Sequence, residues 1–218
     1  ITPNKQIGFY EKRRTTKGGS VEVANDIFSE AMSNKLLSGH PISDLSQMIE
    51  SREARVAILG LGYVGLPLLR AFWNGGHPVL GFDVDPVKIE RLQRGENYLK
   101  HLGDDLVQPM LEVDDGRFEV SSDKQLLAHA DVLILCVPTP LGEHREPDMS
   151  YIETTCQTVG SILRPGQLVS LESTTYPGTT REVMLPILEE SGLKCGEDFF
   201  LAYSPEREDP GRKDHNTQ

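Results

Sequence analysis

The residues best suited to chemistry in this chain are glycines and carboxylates at fixed spacing. Gly60-Leu61-Gly62-Tyr63-Val64-Gly65 directly follows the apolar run Val56-Ala57-Ile58-Leu59 and precedes a stretch with helical periodicity. In that context Gly60 permits a tight turn, Gly62 lets backbone approach a pyrophosphate, and Gly65 lets helix and strand pack closely. Tyr63 and Val64 fall at the start of the helix, whose amides and positive dipole end suit an anion. Asp83 closes the next apolar run eighteen residues past Gly65. A carboxylate at that distance meets the adenosine ribose hydroxyls and repels a 2′-phosphate, so the pattern predicts NAD in preference to NADP. A ligand-free glycine turn is the plain alternative for GxGxxG alone, and Asp83 is what argues against it. Asp85 competes for the ribose, but Pro86 behind it reads as a first helical turn and makes Asp85 a cap.

Two hydroxyl-bearing segments and one charged loop come next. Pro138-Thr139-Pro140 and Ser173-Thr174-Thr175 each follow an apolar strand pattern, which places them off the carboxyl ends of a parallel sheet, where open α/β folds bind ligands. Pro138 and Pro140 stiffen their loop, so Thr139 should be presented rather than buried. The competing reading makes Thr174 and Thr175 helix N-caps, and Thr179 is the strongest cap candidate of the three. Tyr203-Ser204-Pro205-Glu206-Arg207-Glu208-Asp209-Pro210-Gly211 is either a charged surface turn or a site in which Glu206 orients a water and Arg207 serves a phosphate or hydroxyl. Cys136 lies in an apolar strand, Cys156 on a helix and Cys195 in a turn; the three form neither a metal-ligand pair nor a disulfide framework. The six histidines are scattered without metal-ligand spacing. His77 and His129 sit beside helix ends and read as capping or surface residues.

These residues need elements to position them. From Glu53 onward apolar strands alternate with amphipathic helices, the pattern of a parallel sheet covered on both faces. Strands are expected at Arg55–Leu59, Val79–Asp83, Phe118–Val120, Val132–Val137, Leu168–Leu171 and Phe199–Tyr203. Helices are expected at Val64–Trp73, Pro86–Arg94, Asp105–Glu112, Asp123–Ala128, Tyr151–Leu163 and Thr179–Glu190. The fold class is therefore α/β, a doubly wound, mostly parallel, Rossmann-like sheet over residues 53–218. Residues 1–52 form an N-terminal extension with a flexible start and short helices around Val21–Leu37 and Ser43–Ser51. The 218 residues suit one such domain, and the net charge of −11 argues against nucleic acid and anionic membrane as partners. Cysteine usage suits a cytoplasmic, reducing setting, and no apolar run approaches the roughly 20 residues of a membrane span. Ile1 and the polar end Arg212–Gln218 both look like cuts rather than natural termini.

Over roughly residues 55 to 218 the chain resembles the nucleotide-sugar 6-dehydrogenases. The motifs that carry the likeness are Gly60 through Pro67, Asp83 with Lys88, Cys136-Val137-Pro138-Thr139-Pro140, Ser173 through Thr180, and Tyr203-Ser204-Pro205-Glu206-Arg207. Such enzymes oxidise a sugar C6 alcohol to a carboxylate by two hydride transfers to NAD, through an aldehyde and a cysteine thioester. The resemblance implies that Lys88 lies near the adenosine end and that Pro138 and Thr139 border the cofactor. It implies Thr174 and Glu206 at the nicotinamide and reacting carbon, and Glu206, Arg207 and Glu208 against a UDP-sugar. The Ser204–Gly211 loop looks most like the UDP-N-acetylglucosamine branch. The family's catalytic cysteine, lysine and asparagine would fall beyond Gln218, so the chain should bind NAD without turning over sugar, and the full-length enzyme should be a homo-oligomer. The rivals are a non-catalytic NAD-binding module and a 3-hydroxyacyl or 6-phosphogluconate type dehydrogenase.

Overall fold

The computed structural model describes residues 41–99, 104–113, 115–140 and 147–205. Within them the chain runs α1 (Pro41–Glu50), β1 (Val56–Leu59), α2 (Gly65–Asn74), β2 (Val79–Phe82), α3 (Pro86–Gln93), α4 (Gln108–Glu112), β3 (Phe118–Ser121), β4 (Val132–Leu135), α5 (Ser150–Gly160), β5 (Leu168–Leu171), α6 (Leu185–Glu189) and β6 (Phe200–Tyr203). The six strands make one sheet in the order β3-β2-β1-β4-β5-β6, and every pairing is parallel. That is the doubly wound arrangement, with its switch point between β1 and β4.

Strand side chains alternate between faces, so β1 feeds two cores at once. Val56 and Ile58 pack with Leu66, Leu69, Phe72 and Trp73, whereas Ala57 and Leu59 pack with Leu133, Leu135, Ile152, Cys156 and Val159. Burial on both sides explains why β1, β2 and β4 carry no polar side chain and β5 only the buried Ser170. Helix α1 belongs to the first core, because Leu45 and Ile49 are buried there with Phe72 and Trp73. The Val21–Leu37 helix expected from the sequence lies outside the described residues.

Three expected helices take tighter or wider forms. Asp105–Glu112 divides into a 3₁₀ turn at Asp104–Leu106 and α4, which has Pro109 in its first turn. Asp123–Ala128 is a 3₁₀ helix at Lys124–His129, capped by the Asp123 carboxylate on the Gln125 amide at 2.9 Å. Thr179–Glu190 begins as a π-helix at Thr179–Met184 and continues as α6. Pro186 has no amide to donate and its ring crowds the carbonyl of Glu182, which opens the ladder ahead of it.

His77 corrects the surface reading. It is 4% exposed, its Nδ1 lies 3.1 Å from the Ala54 carbonyl, and its Nε2 lies 3.3 Å from Arg52 Nη1. Those partners assign the proton to Nδ1 and leave Nε2 as acceptor, a neutral ring that joins the end of α1 to the start of β2. His129 is exposed, as expected. Burial is the main cause holding the His77 pKa below its ordinary 6.5; the Ala54 carbonyl opposes the shift, and the Arg52 charge adds to it. The unfolded ring therefore binds a proton at higher pH than the folded one. The associated stability is fully present above about pH 6.5 and is lost as pH falls through the lowered folded pKa. Urea unfolding at about pH 7.5 and about pH 5 should show a drop in midpoint that shrinks in His77→Asn. An equal drop in both proteins would place the proton uptake elsewhere.

Candidate cofactor site

Strand β1 ends in a turn whose three glycines answer to different constraints. Gly60 has φ of +96°, and a Cβ there would lie 2.6 Å from the Cys136 carbonyl oxygen at the end of β4. At Gly65 a Cβ would lie 1.8 Å from the Gly60 oxygen and 3.1 Å from Ile58 Cγ2. Gly62 is the opposite case: its φ is not positive and nothing lies within 4 Å of where its Cβ would be. Neither sterics nor conformation inside the domain asks for glycine at 62. The open side fits close approach by a ligand, and α2 begins immediately beyond it, with Val64 at its N-cap.

Asp83, one residue past β2, is 5% exposed. Its Oδ2 accepts from the Leu61 amide at 2.9 Å and from Lys88 Nζ at 2.9 Å, and its Oδ1 accepts from the Asp85 amide at 3.0 Å. A carboxylate offers about four acceptor directions, so one on Oδ1 is left for a hydroxyl. The carboxylate therefore also holds the glycine turn, which sequence reasoning did not anticipate. Asp85 caps α3 through the Val87 amide at 2.9 Å, as expected. Tyr98 was missed: its hydroxyl donates to the Leu61 carbonyl from 37 residues away, and no local pattern could have signalled it.

The β4 and β5 loops are stitched together at the same edge. The Thr139 hydroxyl donates to the Thr174 carbonyl at 2.6 Å, and the Ser173 hydroxyl donates to the Val137 carbonyl at 2.8 Å. Ser204, just past β6 and 3% exposed, donates to Glu172 Oε1 at 3.0 Å. Pro138 and Thr174 are exposed, but Thr139 is half-buried with its hydroxyl proton committed to the Thr174 carbonyl, so the proline loop braces its neighbour rather than simply presenting a threonine. None of Thr174, Thr175 and Thr179 caps a helix. That position is Gly178, at φ +103° and with no side-chain bond. Thr179 is 1% exposed, bonding back to the Tyr176 carbonyl at 2.9 Å and pairing with the Thr175 hydroxyl at 2.6 Å. Glu206, Arg207 and Glu208 lie outside the described residues.

The cysteines sit away from this chemistry or beneath it. Cys136 is 8% exposed under the glycine turn. Cys156 is buried in α5, and burial, aided by Glu153, pushes its thiol up to about 12. Cys195 is pushed up to about 11 by burial and Glu189, against an opposing backbone bond from Leu201. It precedes β6, so a four-residue strand, about 13 Å long, separates it from the carboxyl edge. Among the described residues no group of His, Cys, Asp and Glu could hold a metal ion, and no helix is long and apolar enough to cross a membrane.

A parallel sheet in this order, with a glycine turn at the switch point and a carboxylate at the end of β2, defines a dinucleotide-binding domain of Rossmann type. Residues 54–218 match the NAD-binding domain of the UDP-glucose/GDP-mannose dehydrogenase family, and the chain belongs to that family. It is 39% identical over 171 residues to UDP-N-acetyl-D-glucosamine 6-dehydrogenase of Pseudomonas aeruginosa, covering 75% of this chain and 38% of the relative. It is also 39% identical over 160 residues to UDP-N-acetyl-D-mannosamine dehydrogenase of Pyrococcus horikoshii, covering 72% and 37%. The solved NDP-N-acetyl-D-galactosaminuronic acid dehydrogenase of Methanosarcina mazei Go1 superposes with a TM-score of 0.68 at 37% identity, over 77% of this chain and 38% of that one. The chain thus spans a little over a third of the length of the relatives it matches. Its cofactor is NAD.

The contrast between two glycines makes a test. Gly62→Ala should leave the melting temperature of the NAD-free protein within about 2 °C, because the methyl meets nothing, yet weaken NAD binding about tenfold or more. Gly65→Ala should cost about 3 kcal/mol or prevent folding, since the overlap is with backbone. Comparable destabilisation by both substitutions, measured by thermal unfolding, would show that residue 62 is constrained by the fold.

Proposed function

We propose that this chain is the cofactor-binding part of a dehydrogenase that oxidises the C6 alcohol of a UDP-sugar, UDP-N-acetylglucosamine in particular, to the uronic acid by two hydride transfers. The observation that carries the reading is the bracing of the β5 loop by Thr139. It leaves Thr174 exposed at the edge shared with the glycine turn, and the Thr174 hydroxyl makes no hydrogen bond among the described residues. NAD, when bound, accepts the hydride.

The protein's own residues bind and orient. Amides of Gly62, Tyr63 and Val64 at the start of α2, with Gly60 and Gly65 shaping the turn, carry the pyrophosphate charge. Asp83, neutralised in part by Lys88, takes the adenosine ribose. Pro138, Thr139 and Thr174 border the nicotinamide, and the Thr174 hydroxyl bonds the reacting oxygen. Glu206 orients the water that hydrolyses the thioester left after the second hydride transfer, releasing the acid and the thiol, and Arg207 and Glu208 contact the sugar nucleotide. Support for that last group is its position in the chain immediately after Ser204 and Pro205, which follow the carboxyl end of β6. The choice of sugar rests on the Ser204–Gly211 loop; the names of relatives do not separate the sugars, because relatives named for two different ones are each 39% identical.

The thioester step needs a thiolate beside the aldehyde carbon. Two of the cysteines have thiols raised well above neutrality, and Cys136 is buried, so the nucleophile comes from outside these residues. Incubated with NAD and UDP-N-acetylglucosamine, the 218-residue chain should bind NAD by calorimetry and produce no sustained NADH absorbance. NADH formation abolished by Cys195→Ser would overturn that assignment. In the full-length enzyme, Glu206→Gln should lower kcat about a hundredfold with NAD affinity held within about threefold, and an unchanged kcat would return Glu206 to a surface turn.

A further inference from the structure

Leu61 is a turn residue with 0% exposure, so both of its backbone polar groups need partners from elsewhere. Its amide goes to the Asp83 carboxylate at 2.9 Å, and its carbonyl goes to the Tyr98 hydroxyl. Tyr98 is held in place for this. Asn97 bonds the Leu99 carbonyl at 3.1 Å and accepts from the Leu99 amide at 2.9 Å, so Tyr98 sits at the apex of a stapled turn. The Arg91 guanidinium lies 5.6 Å over its ring. Burial, then the Asp83 and Asp85 charges, raise the phenol pKa well above its ordinary value, against the opposing charge of Arg91, so the hydroxyl remains a donor.

The Leu61 carbonyl and the Gly62 amide are two ends of one planar peptide, and in a trans peptide they point in opposite directions. Whatever fixes the carbonyl also aims the amide. The Gly62 amide has no hydrogen-bond partner among the described residues, and the space around Gly62 is open. We propose that Tyr98 is a positioning residue for the cofactor: by holding the Leu61 carbonyl inward it turns the Gly62 amide outward to meet the pyrophosphate. The proposal rests on the reading that the pyrophosphate lies on the Gly60–Gly65 turn. Tyr98 itself touches no cofactor atom in this account and acts through the peptide plane.

The test is a titration of the chain, labelled with nitrogen-15, by NAD and separately by adenosine, which keeps the ribose that faces Asp83 but has no phosphate. Tyr98→Phe should weaken NAD about tenfold, the worth of one hydrogen bond made to an anion. It should leave adenosine within about twofold and shrink the NAD-induced shift of the Gly62 amide signal. Asn97→Ala, which loosens the staple and keeps the hydroxyl, should weaken NAD in the same selective way, and serves if Tyr98→Phe does not fold. Val159→Ala, a packing defect on the other face of the sheet, should lower the melting temperature without changing either affinity. NAD affinity unchanged in both Tyr98→Phe and Asn97→Ala would overturn the proposal and leave the cofactor site standing. Equal weakening of NAD and adenosine would reduce Tyr98 to a structural prop. An unsubstituted chain that binds NAD no better than adenosine would remove the pyrophosphate from the glycine turn altogether, a failure of the underlying reading.

Discussion

Position 65 has room for a hydrogen atom and nothing more, since a Cβ there would meet the Gly60 carbonyl oxygen at 1.8 Å. That contact sets how closely α2 follows β1, and therefore where the first turn of α2 stands at the edge of the sheet. Gly60 repeats the constraint on the other side, with its missing Cβ directed at the Cys136 carbonyl. The turn is wedged between its own helix and the end of β4, the strand that with β1 flanks the switch point of the sheet. Any ligand at that crevice meets backbone whose position is dictated by packing rather than by the ligand.

The two edges of the sheet are built from different chemistry. At the amino edge, the Arg164 guanidinium bonds the Ala128 carbonyl at 2.8 Å, the Ala130 carbonyl at 2.9 Å and Asp131 Oδ1 at 2.7 Å. Asp131 Oδ2 takes the Arg55 amide at 2.9 Å. These are long, charged side chains spanning between segments, and they close that end. At the carboxyl edge the β4 and β5 loops are tied by short hydroxyls on carbonyls, Ser173 to Val137 and Thr139 to Thr174. Short polar ties fix the loops while leaving the space above them free, as a binding edge requires.

Asp83 joins the two levels. A nearly buried carboxylate is costly unless it is paired and hydrogen-bonded, and here three donors satisfy it. Two of those donors are backbone amides of Leu61 and Asp85, so the charge proposed to meet the ribose also organises the turn proposed to meet the pyrophosphate. Loss of that carboxylate would therefore act on both halves of the adenosine-pyrophosphate site at once.

What could be read from the amino-acid order was whatever depends on neighbours along the chain. All six strands, the tight glycine turn, the Asp85 cap, the buried state of Cys136 and the helical placement of Cys156 follow from alternation, turn chemistry and helix entry within a few residues. The fold class followed too, because alternating strands and helices with right-handed crossovers admit few arrangements. The tertiary structure alone decided which polar groups find each other. Neighbours along the chain point to a capping or surface His77, whereas the fold buries it against Ala54 and Arg52. Thr179 lost its expected capping role to Gly178, and Thr139 proved to be a brace. Tyr98 and Leu61 meet across 37 residues and Thr139 and Thr174 across 35. Such pairings have no local signature, because they exist only once the strand order places β2, β1, β4 and β5 side by side and brings the loops at their ends within hydrogen-bonding distance.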